Sequence, residues 1–200
     1  MRVRIFIDFW NFQLQWNRFQ QQNGAAGVVK IPWDTTLTPT ICAAVDTAAT
    51  YAGTHVYVST DPGNAADRGL RKFLNVMDGF AGYKVINKDR KPASRLRCPE
   101  CGTHIDDCPH CHKPLRRTVE KGIDTSLVTD LLTMSLDNLH DRAVLISADA
   151  DMVPAVDYLQ AHGKNVTHLY FRPLGAELRN ACWNHLYFND LMGSLVPPTP

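Results

Sequence analysis

The 200 residues are 44% hydrophobic and 20% charged, an ordinary globular composition that excludes a largely disordered chain and leaves room for one α/β domain with a small insertion rather than two full domains. The net charge of +1 hides two unlike parts: Lys84 to Lys121 holds ten Lys or Arg against five acids, which is +5, and the remainder holds eleven against fifteen, which is −4. A compact basic segment beside an acidic remainder suits a protein that attracts a polyanion and holds cations elsewhere, although a solvated charged surface has the same arithmetic.

The first strand is RVRIFIDF, and the polar turn after it leads into a helix near Phe12 to Gln22. The apolar run of this start is broken at Asp8, too early for the hydrophobic region of a signal peptide, and nothing elsewhere nears the roughly 18 to 20 apolar residues of a membrane span. A soluble, cytoplasmic protein without membrane contact is therefore expected. Residues 24–33 read as a loop. Thr38 as N-cap with Pro39 at the first helical position starts the next helix, which Gly53 ends. THVYVST is a second strand, and the Asp61-Pro62-Gly63-Asn64 turn launches a helix with Leu70, Phe73, Leu74 and Met77 on its apolar side.

YKVINKD is a third strand, after which residues 90–117 break the alternation with Cys, Pro, His and basic residues, the mark of an insertion. A helix starting near Asp124, the strand RAVLIS, a helix closed by Gly163, the strand VTHLYF and a last helix over AELRNACWNHL follow, before a loose tail at 196–200. Strands alternating with helices predict a mainly parallel sheet covered on both faces, with ligands at the carboxyl ends of its strands.

Several acids fall at those ends. Asp8 closes the first strand, Asn11 follows it, Asp124 opens the helix after the insertion, and Asp149 and Asp151 follow the fourth strand in SADAD. Four carboxylates gathered on one sheet edge repel unless a cation compensates them, and hard oxygen ligands suit Mg²⁺ or Mn²⁺, which can activate water for attack on a phosphodiester. Taken singly, Asp8, Asp124 and Asp149 or Asp151 also read as ordinary helix or turn caps. Asp130, six residues after Asp124, falls nearly on the opposite side of an ideal helix and is a supporting candidate. Trp10, Phe12 and Trp16 could stack bases near the site or belong to the core.

Within the insertion, Cys98, Cys101, Cys108 and Cys111 form two CxxC pairs six residues apart, whereas Cys42 and Cys182 stand alone in apolar surroundings. Two such knuckles complete a closed tetrahedral shell for structural Zn²⁺, with redox CxxC pairs as the competing reading and His104, His110 and His112 as substitute ligands. Lys88, Arg90, Lys91, Arg95, Arg97, Lys113, Arg116 and Arg117 around it are candidate phosphate clamps; the plain alternative is a ribbon that closes over the core or pairs with another copy in a homo-oligomer.

The segments FIDFWNF, KGIDTSLVTDLL and LISADADMVPAVDYLQAHGKNV, in that order, resemble the NYN domain family, a LabA-like branch of the PIN-like nucleases. The resemblance implies a PIN-like three-layer sandwich over residues 1–195, an acid-held Mg²⁺ or Mn²⁺, and hydrolysis of phosphodiester bonds, usually in RNA. Carried over by position, the site is Asp8, Asn11, Asp124, Asp149 and Asp151. The family's SGDxDF block stands here with Ala148 for its glycine and Met152 for its aromatic residue. The expected activity is thus a metal-dependent endoribonuclease with a structural zinc module, with DNA as a further substrate class; a nucleic-acid-binding or scaffolding module that keeps the metal site without turnover is the alternative.

Overall fold

The computed structural model describes residues 1–24, 30–115 and 118–196. In chain order the elements are β1 (Arg2–Asp8), α1 (Phe9–Gln22), α2 (Leu37–Val45), β2 (Thr50–Thr60), α3 (Asp67–Met77) and β3 (Tyr83–Asp89). The insertion holds β4 (Lys91–Pro92), β5 (Leu96–Arg97), β6 (His104–Ile105) and β7 (Thr118–Val119). Then come α4 (Ile123–Leu136), β8 (Arg142–Ile146), a 3-10 turn (Ala150–Met152), α5 (Val153–Ala161), β9 (Asn165–Tyr170), α6 (Ala176–Ala181), β10 (Asn184–Tyr187) and α7 (Phe188–Leu195).

Six of these strands form one sheet in the order β10-β9-β8-β1-β2-β3, with every neighbouring pair parallel. Alternate residues of β1 serve its two faces. Val3, Ile5 and Ile7 join Phe12 and Trp16 of α1, Ile41 of α2, Leu74 of α3 and Phe188 of α7 in one core cluster, whereas Phe6 joins Leu127 of α4, Val156 of α5 and Leu178 of α6 in the other. The result is the expected three-layer sandwich. Among the described residues no helix is long and apolar enough to cross a membrane. In the insertion, β4 pairs antiparallel with β7 as a stalk, and β5 pairs antiparallel with β6 beyond it.

Several local expectations shift. No turn separates β1 from α1, because Asp8 is itself the N-cap: its Oδ1 accepts the Asn11 N–H at 3.3 Å and the helix begins at Phe9. The second helix starts at Leu37, whose N–H donates to Pro32 O at 3.1 Å, and Pro39 lies inside the first turn. Gly53 does not end that helix. It sits in β2, where the register against β1 shifts between Val3 and Arg4, and its φ of +123° is open to glycine because an added Cβ would stand 3.0 Å from Arg4 Nη1 and 3.1 Å from Gly82 O. Asn184 to Leu186, expected as the end of the last helix, belong to the edge strand β10 instead. A further helix, α7, precedes the expected tail, with Phe188 and Leu195 buried at its two ends. Val196 donates its N–H to Met192 O at 2.8 Å, and residues 197–200 lie outside the described ones.

Candidate active site

Chain order runs outward from β1 in opposite directions, through β2 and β3 on one side and through β8, β9 and β10 on the other. Such a reversal opens a crevice at the carboxyl ends of the two central strands. Asp8 closes β1 at that crevice, and Ser147, Ala148 and Asp149 follow β8 into it.

Asp8 is partly buried, its Oδ2 accepts the Ser147 hydroxyl at 3.1 Å, and its Oδ1 is spent on the α1 cap. Burial pushes its carboxyl up to about 6; the two hydrogen bonds oppose that shift, and the charges of Asp124 and Glu120 add to it. Asp124, in the first turn of α4, is also raised, first by desolvation and then by Glu120, Asp149 and Asp151. The fields of five carboxylates thus overlap at one edge of the sheet. Glu120 was not among the expected residues. Asp149 caps the 3-10 turn by accepting the Asp151 N–H at 3.0 Å, which leaves Asp151 on the exposed rim.

The loop carrying Asp149 is fixed from several directions. Asn11 Oδ1 accepts the Ala148 N–H at 3.2 Å and also meets the Tyr170 hydroxyl, which donates to Asn11 O at 3.0 Å. The amide Nδ2 is therefore the atom Asn11 can present to a ligand. Burial and the nearby charge of Asp8 hold the Tyr170 phenol above its ordinary range. Ser147 Oγ accepts the Asp149 N–H at 3.1 Å, and buried His168 donates from Nε2 to Ser147 O at 2.8 Å. Gly175 lets α6 approach this loop: at φ +68°, an added Cβ would lie 2.9 Å from His168 Cε1 and 3.3 Å from Ala148 Cα. Ser147 and Tyr170 are thus positioning residues that spacing alone did not single out, although Ser147 stands first in the SADAD block.

On the other flank, Arg90 and Glu120 bracket the stalk of the insertion, one residue before β4 and one after β7. Arg90 Nε donates to Ser59 Oγ at 3.0 Å, its Nη2 lies 3.9 Å from Glu120 Oε2, and its guanidinium carbon is 5.6 Å from the centre of the Trp10 ring. The Ser59 hydroxyl donates to Glu120, and Trp10 Nε1 donates to Ser59 O at 2.7 Å. Trp10 therefore lies at the site, while Phe12 and Trp16, fully buried, are core and unavailable to bases. Asp130 points to the sheet, where it accepts the Tyr57 hydroxyl at 2.9 Å. Of the expected phosphate clamps, Lys88 donates to Gly122 O at 2.7 Å and Arg95 pairs with Asp106 at 3.5 Å. Lys91, Arg97 and Lys113 are exposed, and Arg116 and Arg117 lie outside the described residues.

The two cysteine knuckles repeat one backbone pattern. Cys98 N–H donates to Thr103 O and Gly102 N–H to Cys98 O, both at 2.9 Å; Cys108 N–H donates to Lys113 O at 2.9 Å and His112 N–H to Cys108 O at 2.8 Å. Gly102 and His112 occupy the same left-handed position, at φ 70° and 54°. Hydrogen bonds from Thr103 and Cys98 draw the Cys101 thiol down to about 7, and backbone donors at Cys111 and His110 lower Cys108. Among the described residues, however, no three His, Cys, Asp or Glu side chains stand close enough together to hold a metal ion. The donor chemistry fits a hard divalent ion at the carboxylates and zinc at the thiolates; the spacing fits neither without inward movement of the side chains.

A family model of the NYN domain matches residues 55–189, about two-thirds of the chain, and includes Asp124, Asp149 and Asp151 but not the strand that carries Asp8. A solved protein of unknown function from Vibrio parahaemolyticus is similar in structure, with a TM-score of 0.54 and 16% identity over 95% of this chain and 94% of that one. No curated protein matches the chain.

Proposed function

The chain belongs to the NYN domain family of PIN-like nucleases, and from that premise we propose that it is a divalent-metal-dependent ribonuclease that hydrolyses RNA phosphodiester bonds at the carboxylates around Asp8. The observation that carries this reading is the Asp8 carboxyl itself, desolvated at the sheet's reversal point and raised further by the charges of Asp124 and Glu120. A fold spends stability on such a group where a ligand repays it. Asp8, Asp124, Asp149 and Asp151 would hold Mg²⁺ or Mn²⁺. When bound, the ion supplies polarisation of the phosphate and neutralisation of the charge that builds on the departing oxygen.

The chain's own residues do the rest. Burial raises the Asp8 carboxyl in the metal-free fold, and a bound cation would hold it ionised, so Asp8 would serve as a ligand and not as an acid or base. Asn11 offers Nδ2 to a phosphate oxygen. Arg90, braced by Trp10 and Ser59 and 3.9 Å from Glu120 Oε2, brings a guanidinium to the cluster and suits a phosphate adjoining the bond that is cut. The cysteine insertion, folded on zinc, carries Lys91, Arg97 and Lys113 to the backbone of the strand.

Equal-sequence RNA and DNA incubated with Mg²⁺, Mn²⁺ or chelator test the reading. Metal-dependent cleavage of RNA is expected, abolished in Asp8→Asn while binding persists; cleavage that survives both that substitution and metal removal would sink the assignment. The second reading is a nucleic-acid-binding or scaffolding module that keeps the metal site without turnover. Tight binding with no cleavage under any ion would establish it.

A further inference from the structure

A groove of about 200 Å³ runs between α1 and the loop that follows β9, lined chiefly by Gln15, Arg18, Phe19, Gln22, Arg172 and Leu174. No described residue of its lining is acidic. Arg18 is exposed and forms no ion pair among the described residues. Arg172 is held in place: its Nη2 lies 2.7 Å from Asp190 Oδ2, its N–H donates to Asn189 Oδ1 at 2.9 Å, and its guanidinium carbon stands 4.0 Å from the centre of the Tyr187 ring. An unpaired guanidinium, a second one fixed beside it and two amides make a seat for an anion.

Named groups join this groove to the carboxylate site. Asn11, Gln15, Arg18 and Gln22 follow one another at helical spacing, a single stripe along α1 that begins at the site. The charge of Arg18 opposes the rise of the Tyr170 phenol, and the Tyr170 hydroxyl donates to Asn11 O at 3.0 Å. Arg172 stands two residues after Tyr170. A polyanion leaving Asn11 along α1 therefore meets Arg18 next. The groove is smaller than the roughly 300 Å³ at which small-molecule sites begin, so it suits one group of a longer ligand. In the sheet order, β9 lies two strands from β1 on one side and β3, which Arg90 follows, two strands away on the other. Each flank is thus about 10 Å from Asp8, on the order of three nucleotides at the rise of a stacked strand.

We propose that Arg18, with Gln15 and Arg172 beside it, grips a backbone phosphate of single-stranded RNA on the opposite side of the cut bond from Arg90; the choice of RNA rests on the ribonuclease reading above. The test measures binding of a labelled RNA of about twelve nucleotides, twice the span between the two flanks, to the uncleaving Asp8→Asn chain. Each phosphate in turn is replaced by a neutral methylphosphonate. One replacement, about three nucleotides from the bond that the wild type cuts, should weaken binding roughly two- to fivefold, the worth of an exposed charge pair. Arg18→Gln should cause the same loss on intact RNA, flatten the slope of log affinity against log salt by about 0.7 and leave the melting temperature unchanged. The two losses should not multiply, and Arg18→Lys should recover the slope. Losses that multiply at every position, an unchanged salt slope, or a coupled phosphate that adjoins the cut bond overturn the proposal. A coupled phosphate in a chain whose wild type cuts no RNA with Mg²⁺ or Mn²⁺ would instead overturn the ribonuclease reading and leave the grip standing.

Discussion

Asp8 and His140 are both held away from their ordinary titration, in opposite senses. Burial raises the Asp8 carboxyl to about 6, so above that pH the metal-free fold carries a charge the unfolded chain bears more cheaply, and this penalty disappears as pH falls from about 6 to about 4. His140 is 5% exposed, with Nε2 3.0 Å from Ser135 Oγ, and burial followed by the charges of Arg4 and Arg2 lowers it to about 4. Its neutral form fits the fold, so stability is whole above about 6.5 and falls as pH drops towards 4, where the unfolded chain alone takes up the proton. His55 and His168, also lowered by burial, act in the same direction. The slopes of Asp8 and His140 therefore oppose each other between pH 4 and 6. Asp8→Asn should steepen the acid-side fall in melting temperature and His140→Gln should make it shallower; parallel curves for both variants would refute the assignment. At pH 7, in buffer free of Mg²⁺ and Mn²⁺, Asp8→Asn should stabilise the chain by about 1–3 kcal/mol, several degrees in melting temperature for a domain of this size. Added Mg²⁺ should raise the melting temperature of the wild type and leave that of the variant unmoved.

At the scale of elements, legibility followed how many structures a segment's pattern allowed. β8 is a short apolar run and β3 an alternation of apolar and polar residues, each between turn signals, and both stand where the sequence placed them. NHLY carries no such pattern, and its strand exists because β9 offers a free edge for parallel pairing, a long-range fact invisible locally. The start of α1 was misplaced because Asp8 was read as a ligand or a turn cap, whereas it caps the helix at once. Glu120 escaped notice since its partners, Ser59 and Arg90, come from remote parts of the chain and meet it only at the stalk. The two CxxC pairs, expected from their spacing to hold zinc, share one backbone hydrogen-bond pattern. His112 holds a left-handed position that its counterpart fills with Gly102. His112→Gly should therefore stabilise the zinc-loaded insertion by up to about 1 kcal/mol, read as slower zinc loss to a chelator; faster loss would mean that the imidazole itself binds the ion. Gly175→Ala makes the complementary demand on the other flank. The new methyl must displace His168 or Ala148, and a shift of the Asp149 loop by part of an ångström should cut turnover on the order of 10- to 100-fold with helical content unchanged. Unaltered turnover would show that the loop gives way without moving Asp149.

For the whole molecule, alternation of strand and helix was enough to predict a parallel sheet, but not to order its strands. The reversal between β1 and β8 arises from two crossover series wound in opposite directions from the first strand, and it alone turns acids more than 100 residues apart into neighbours. Charge is divided along the same geometry. The acids sit at the reversal, and the basic excess of the insertion is joined to them through the stalk that Arg90 and Glu120 bracket. Grip and chemistry are therefore separable, because Lys91, Arg97 and Lys113 form no ion pair among the described residues and can be exchanged without orphaning an acid. If these three meet phosphates, replacing all of them by Gln should weaken RNA and DNA binding alike and flatten the slope of log affinity against log salt by about 0.7 for each lost contact, roughly 2 in total. KM should rise while kcat at saturating RNA stays level, since backbone contacts made equally in ground and transition states give binding and not rate. A fall in kcat with an unchanged salt slope would instead make the insertion a structural support for the acidic edge, with phosphate recognition left to Arg90 and the carboxylate-bound ion.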